Sequence, residues 1–421
     1  MSRPGSSLAE WLSKLETYSP YEIKLGLERV SSVLQTLQLP RPKRVFTVGG
    51  TNGKGSSVAM LEAILLQSGA SVGSYTSPHI VAFNERICSG GAPASDADII
   101  AAFERVDAAR GDTELTYFEF GTLAALVVFA ERQIDNVILE VGLGGRLDAV
   151  NAVDPDVALI TNVSLDHCDW LGTDVESIAF EKAGIMRHGK PAIFAADPVP
   201  QTLSDHAAKI GADLWRAGQD FSYTVHPDGR FDWRGRDCTL QGLARPALQG
   251  DIQYANAAAV LSMLEAAGLQ TLLDAEIVSA ALSRLRLAGR MQVIKTDRHW
   301  ILDVAHNPAA ANVLAETLAA SDVDGETIAI IAMLDDKDVE SVVALLDSVV
   351  DRWIAVSAAS PRAIDALELA RLIANSSNTG CMVAMSLAEA MQFARTNSTP
   401  QDRIIVTGSF YVVGPAMQLL T

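Results

Sequence analysis

The sequence predicts an α/β protein, a P-loop parallel-sheet domain over residues 1–287 followed by a second, smaller Rossmann-like α/β domain over 288–421. Three observations predict it. From Arg44 onward, short β-branched runs alternate with longer amphipathic segments, the pattern of βαβ units on a parallel sheet. A glycine-rich turn, Gly49 to Gly55, joins the first such run to a helical segment. Beyond Leu287-Ala288-Gly289 a fresh strand and helix series begins, long enough for a domain of ordinary size.

In order, Arg44–Gly49 reads as a strand, Gly55–Gln67 as a helix that starts near Ser56, and Ser71–Thr76 as the next strand. Phe118–Arg132 reads as a helix leading into the buried strand Asn136–Val141. Asp156–Thr161 and Pro191–Ala195 read as strands with a helix over Asp174–Arg187 between them. Phe221–Leu240 breaks the rhythm, and its alternation and Asp228-Gly229 turn predict antiparallel hairpins. Helices follow near 256–267 and 274–285. The second domain offers strands at Met291–Lys295, Trp300–Val304, Thr327–Ala332, Trp353–Val356 and Arg403–Thr407.

Composition narrows the function classes. The chain has 421 residues, 49% hydrophobic and 20% charged, as expected of a packed globular protein. Its 33 basic against 51 acidic residues leave a net charge of −18, which disfavours sequence-independent binding to nucleic-acid backbones. Small anionic substrates then need local cations, backbone N–H groups or metal ions. Cys88, Cys168, Cys238 and Cys381 lack zinc-knuckle or CxxC spacing and read as reduced thiols. The polar stretch Met1–Glu10 has no signal-like apolar core, and no run approaches the ~18 apolar residues that cross a bilayer. A soluble, cytoplasmic protein with no membrane partner is expected.

The most informative stretch runs Val48-Gly49-Gly50-Thr51-Asn52-Gly53-Lys54-Gly55-Ser56-Ser57. Glycines let consecutive N–H groups converge on phosphate oxygens, and the following helix N-terminus adds partial positive charge. The lysine would reach the terminal phosphates, and the Ser56 hydroxyl would lie near a metal. The pattern departs from GxxxxGK[ST]: Val48 stands at the first glycine's place and Gly55 separates Lys54 from Ser56. A purely structural glycine turn is the other reading.

Glu140 ends an apolar strand before the Gly142–Gly145 turn, where a carboxylate faces the ligand crevice of a parallel sheet. Satisfaction by a neighbouring loop is its bland alternative. His167, taken alone, is as readily a hydrogen-bonded structural histidine, Ser77 a turn residue before Pro78, and Lys182 a solvated helix lysine. An interdomain ion pair for Arg290 and a helix-cap network for Asp303–Pro308 are likewise open.

The loop Gly50-Thr51-Asn52-Gly53-Lys54-Gly55-Ser56 resembles that of the Mur ligase superfamily, which includes the folylpolyglutamate synthases. Further segments resemble its folate branch in family order: Leu25–Val30, Thr76-Ser77-Pro78-His79, Asn84-Glu85-Arg86-Ile87, Leu115–Phe120, Leu139–Ala149, Leu165-Asp166-His167, Glu181–Ile185 and Asp303–Pro308. The resemblance spans nearly the whole chain. It implies an ATP-dependent ligase that adds L-glutamate to dihydropteroate and to folate γ-glutamates through an acyl-phosphate. It also implies ATP held by Thr51, Asn52, Gly53, Lys54, Gly55, Ser56, Asn256, Arg290 and Asp303. Ser77, Glu140 and His167 would bind magnesium, two ions in all. Lys54, Lys182 and His306 would be catalytic, with Lys182 carbamylated. Lys24, Leu25, Gly26, Thr116, Leu147, Asp148 and Ala149 would hold the pterin-bearing substrate, beside the aromatic faces of the Leu115–Phe120 tract. A monomer acting on small molecules is expected. The competing readings are a peptidoglycan-precursor Mur ligase and a nucleotide-binding regulatory protein. The first usually carries a separate uridine-nucleotide domain, for which Met1–Val48 is short.

Overall fold

The computed structural model describes residues 7–18, 24–321, 323–377 and 379–421. The first six residues of the polar Met1–Glu10 stretch therefore lie outside the described ones. The chain forms two compact units: one of 1–163, 171–246 and 254–285, and one of 164–170, 247–253 and 286–421.

The first unit is built on an eight-stranded sheet. Its order is Ala92–Pro93, Ile87–Ser89, Val72–Tyr75, Asn136–Glu140, Arg44–Gly49, Val157–Ile160, Pro191–Phe194 and Asp213–Arg216. The six strands from Val72–Tyr75 to Asp213–Arg216 run parallel, and the two at the other edge are antiparallel. Central strands such as Val157–Ile160 are buried throughout, which is why they read as unbroken apolar runs rather than alternating ones. Arg44–Gly49 lies between Asn136–Glu140 and Val157–Ile160, the place where connections diverge and where open α/β sheets leave a crevice at their strand C-termini. The residues Ser222–Val225, Phe231–Arg234 and Thr239–Leu243 form a separate three-stranded antiparallel sheet, with Gly229 at a φ of +81° in its first turn.

The second unit carries a six-stranded sheet. Gln292–Lys295 pairs antiparallel with His299–Leu302, which continues into a parallel series of Arg403–Thr407, Thr327–Ile331, Arg352–Ala355 and Cys381–Val383. Its core gathers Leu314, Leu318, Val342, Trp353, Leu369 and Ile405. The architecture is thus mixed α/β with two largely parallel sheets.

Several expected boundaries move. The helix after the glycine turn begins at Lys54 rather than Ser56, because Gly53, at a φ of +83°, closes the turn and serves as its N-cap. The helix predicted over Asp174–Arg187 spans only Val175–Ala183. A side chain at Gly184 would stand 2.3 Å from the Arg146 Cβ, and Asn151 donates to the Gly184 carbonyl, so the chain turns away there. The helices Leu8–Tyr18 and Glu28–Leu37 and the strands Asp213–Arg216 and Cys381–Val383 were not anticipated. The two strands, of four and three residues, carry too few periods to stand out in sequence. Among the described residues no helix is long and apolar enough to cross a membrane.

Candidate active site

The glycine turn sits at the C-terminal end of the central strand of the first unit. Gly50 has a φ of +140°, and a Cβ there would lie 1.8 Å from the Thr161 hydroxyl, so only glycine lets the loop approach the neighbouring strand end. The Lys54 ammonium donates to the carbonyls of Gly50 and Thr51, both at 3.0 Å, which holds it over the loop. Ser56 is buried in the first turn of the helix. Asn256, also buried, reaches the same turn: its side-chain oxygen is 2.9 Å from where a Cβ on Gly53 would stand. The structure therefore gathers Thr51 to Ser56 and Asn256 at one helix N-terminus, a place suited to an anion.

Glu140 lies one strand away, in register with Val48. Its carboxylate is 4% exposed and accepts the Ser77 N–H at 2.9 Å. Its other oxygen is 3.8 Å from the Cβ position of Gly55, so the acid faces the start of the phosphate-loop helix. Glu140 is thus a buried carboxylate next to a candidate phosphate site, an oxygen ligand of the kind a hard divalent cation prefers, but among the described residues no group of three or more His, Cys, Asp or Glu is placed to hold a metal ion. Lys182 is 3% exposed, which removes the solvated-lysine reading.

The predicted acceptor residues converge in the same unit. Thr116 caps the helix Tyr117–Glu131, with its hydroxyl accepting from the Glu119 N–H and the Glu119 carboxylate accepting from the Thr116 N–H. Glu119 is buried and pairs with Arg29 at 2.8 Å, and the same guanidinium donates to the Lys24 carbonyl at 2.7 Å. The Gly26 N–H donates to the Leu147 carbonyl at 3.4 Å, joining Lys24–Gly26 to the Leu147–Ala149 stretch. Asp148 accepts the N–H groups of Leu143 and Val150, and burial pushes its carboxyl up to about 7 against those bonds and the charge of Lys54. Arg86 donates to His79 Nδ1 at 2.8 Å and lies over the rings of Phe83 and Tyr117.

The second unit holds a separate cluster. Asp303 accepts the N–H groups of Met291 and Ala305, and burial raises its carboxyl above the usual range despite the nearby Arg290. Arg290 lies over the Phe410 ring, and His306 packs on the same ring. His306 Nδ1 is 2.7 Å from the Val304 carbonyl, which only accepts, so a ring proton sits on Nδ1; burial lowers the imidazole's pKa from its usual value, against the pull of Asp166. Its Nε2 is 3.8 Å from Asp166. Asp166 also accepts from Lys337 at 2.8 Å and Asn307 at 3.0 Å. Burial alone would raise its carboxyl, but His167, Lys337 and His306 hold it well below the usual range. His167 belongs to this unit too, with Nδ1 3.8 Å from Asp336. Sequence reasoning missed Lys337, Asp336 and Arg362, which pairs with Asp336 at 3.7 Å. The charged run Asp335-Asp336-Lys337-Asp338 was the available signal. It also missed Arg29 as the partner of Glu119, and Thr161-Asn162 at the loop.

A phosphate-type loop with a buried acid beside it in one α/β unit, and a second α/β unit with its own charged cluster, are features of a two-unit nucleotide-binding α/β protein. The Mur ligase middle domain matches residues 48–264, and the Mur ligase glutamate ligase domain matches 289–410. The chain is 42% identical over 419 residues to the dihydrofolate synthase/folylpolyglutamate synthase of Escherichia coli K12, covering 99% of this chain and 96% of that protein. The Haemophilus influenzae protein of the same description is 38% identical over 428 residues, 97% and 96% of the two chains. Among solved structures, E. coli FolC in complex with DHPP and ADP superposes with a TM-score of 0.94 at 41% identity, over 100% and 99% of the chains. A bifunctional folylpolyglutamate synthase/dihydrofolate synthase with Mn, AMPPNP and L-glutamate bound has a TM-score of 0.92 at 41% identity and the same coverage. The chain belongs to the Mur ligase family, in its dihydrofolate synthase/folylpolyglutamate synthase branch.

Proposed function

We propose that this chain is an ATP-dependent, ADP-forming ligase that joins L-glutamate to dihydropteroate and to the γ-glutamates of folates. The observation that carries the reading is the meeting of Lys54 and the phosphate-loop helix N-terminus with buried Glu140, in a chain with full-length relatives of that activity. The acceptor's carboxylate oxygen attacks the γ-phosphorus of ATP, the bond to the β,γ-bridging oxygen breaks, and ADP leaves. The glutamate amine then attacks the acyl-phosphate carbonyl, the carbon–oxygen bond to phosphate breaks, and the amine gives up its proton.

Lys54 and the N–H groups of Thr51 to Ser56 stabilise the charge that develops on the transferring phosphoryl. Asn256, Arg290 and Asp303 are the further residues proposed to bind the nucleotide. Glu140, Ser77 and His167 are the proposed ligands of divalent metal, two ions in the full reading. A bound ion would neutralise and orient the phosphate oxygens. Lys182 is the proposed site of carbamylation, which exchanges an ammonium for a carboxylate-like group. His306 is the remaining proposed catalytic residue, beside Lys54 and Lys182. The pterin-bearing substrate is assigned to Lys24, Leu25, Gly26, Thr116, Leu147, Asp148 and Ala149, where burial keeps Asp148 within reach of either protonation state near neutral pH.

Phosphate release measured with dihydropteroate plus glutamate, with a UDP-muramyl acceptor plus amino acid, and with neither tests the reading. Release is expected only in the first arm. Release that ignored acceptor and glutamate would leave a nucleotide-hydrolysing regulator, and release in the second arm a peptidoglycan-precursor ligase.

A further inference from the structure

The Val157–Ile160 strand ends in Thr161-Asn162, and these two residues grip the phosphate loop. The Asn162 side chain forms a reciprocal amide pair with the backbone of Asn52: its oxygen accepts the Asn52 N–H at 3.1 Å and its nitrogen donates to the Asn52 carbonyl at 3.0 Å. Turning that amide over would break both bonds, so the pairing fixes its orientation. The Thr161 hydroxyl donates to the same carbonyl at 2.6 Å, and the Thr51 N–H donates to the Asn162 carbonyl at 3.1 Å. One loop carbonyl thus receives two side-chain donors. These bonds join residues about 110 positions apart, and none of them involves Lys54 or the metal-side acid.

We infer that Thr161 and Asn162 are positioning residues that lock the Asn52–Gly53 peptide with its N–H toward the phosphate. The carbonyl oxygen and the amide hydrogen of a trans peptide point in opposite directions. Holding the Asn52 oxygen against the strand end therefore turns the Gly53 N–H to the opposite side, away from Thr161 and Asn162. Gly53, at a φ of +83°, has the backbone freedom that would let this peptide flip if the grip were lost. A flipped peptide presents a carbonyl oxygen to an anion, so a donor is exchanged for a repelling acceptor. The lock acts before nucleotide arrives, a form of preorganisation.

The inference rests on the nucleotide reading above, and the experiment separates the two. Binding of ADP and of adenosine to the full-length protein is measured by calorimetry for wild type, Asn162→Ala, Asn162→Asp, Thr161→Val and the Thr161→Val/Asn162→Ala double variant. Loss of Asn162 alone is expected to weaken ADP about tenfold, and loss of both donors about a hundredfold, the scale of hydrogen bonds to a charged group. Adenosine, which has no phosphate, should bind all variants alike. Asn162→Asp keeps the acceptor but cannot donate, and should be at least as weak as Asn162→Ala. ADP binding within twofold of wild type in the double variant overturns the lock, as does an equal loss for ADP and adenosine. If Asn162→Ala does not fold, Thr161→Val reads the same carbonyl. Wild type that binds neither ligand fails the proposed function instead.

Discussion

The Arg29–Glu119 pair offers the clearest quantitative test of how the first unit is held. Arg29 Nη2 lies 2.8 Å from Glu119 Oε1 and Nε 3.4 Å from Oε2, a two-pronged pair in which Glu119 is 4% exposed and Arg29 20%. Removing one partner of a fully buried pair costs about 3–5 kcal/mol, because a charge is left without compensation. Here water reaches the guanidinium, and Glu119 keeps the Thr116 N–H at 2.8 Å, so the cost falls to about 2–3 kcal/mol. Arg29→Met, which retains the aliphatic stem, should lower the midpoint of thermal unfolding by about 4–10 °C. Glu119→Gln should cost less, and the double variant should cost less than the sum. Urea unfolding of the four proteins, followed by circular dichroism, should return a coupling of about 1–2 kcal/mol. The pair also has a functional consequence. Arg29 holds the Lys24 carbonyl, so its loss should raise KM for dihydropteroate about tenfold with kcat nearly unchanged. A coupling below about 0.5 kcal/mol together with an unchanged KM would refute the reasoning.

Glu140→Gln should raise the magnesium concentration needed for half-maximal phosphate release more than tenfold while leaving the thermal midpoint within a few degrees, and an unmoved magnesium requirement would reject the ligand assignment. Lys182, if carbamylated, should carry the mass of one added CO₂ in an intact-protein spectrum taken under mild conditions, and Lys182→Ala should lack it; an unmodified spectrum of active protein counts against the carbamate. Asp148 gives a pH prediction. Its folded carboxyl titrates at about 7 rather than the usual 3.8, so the stability it contributes is fully present below about pH 3.8 and is lost as pH rises to about 7. The stability of Asp148→Asn relative to wild type should therefore shift in the variant's favour between pH 4 and 7, by about 4 kcal/mol at most, and a flat difference across that window would disprove the raised value.

Much of the fold was legible because its information is local. Buried parallel strands are unbroken apolar runs, and Arg44–Gly49, Asn136–Glu140, Thr327–Ile331 and Arg403–Thr407 stood out for that reason. The strand–turn–helix of the glycine loop was readable because its parts are consecutive: a strand end, glycines with positive φ, and a helix start lie within a dozen residues. The acid Glu140 could be placed because a strand's end and the turn after it are adjacent in sequence. The strands Asp213–Arg216 and Cys381–Val383 were missed, since three to four residues hold too little periodicity to separate from a loop.

By itself, then, the sequence determined the alternation of strands and helices, the position of the glycine-rich turn, and the family through motifs set in order along the chain. Only the tertiary structure decided which groups complete the sites. Arg29 meets Glu119 across 90 positions, Asn162 meets Asn52 across 110, and Lys337 meets Asp166 across 171. Such pairs leave no periodic trace, because their spacing is set by how strands are ordered in a sheet and not by the pitch of any element. Burial was decided in the same way: Lys182 and Asp148 carry no mark in the sequence of being enclosed, yet enclosure is what gives an ionisable group its unusual chemistry.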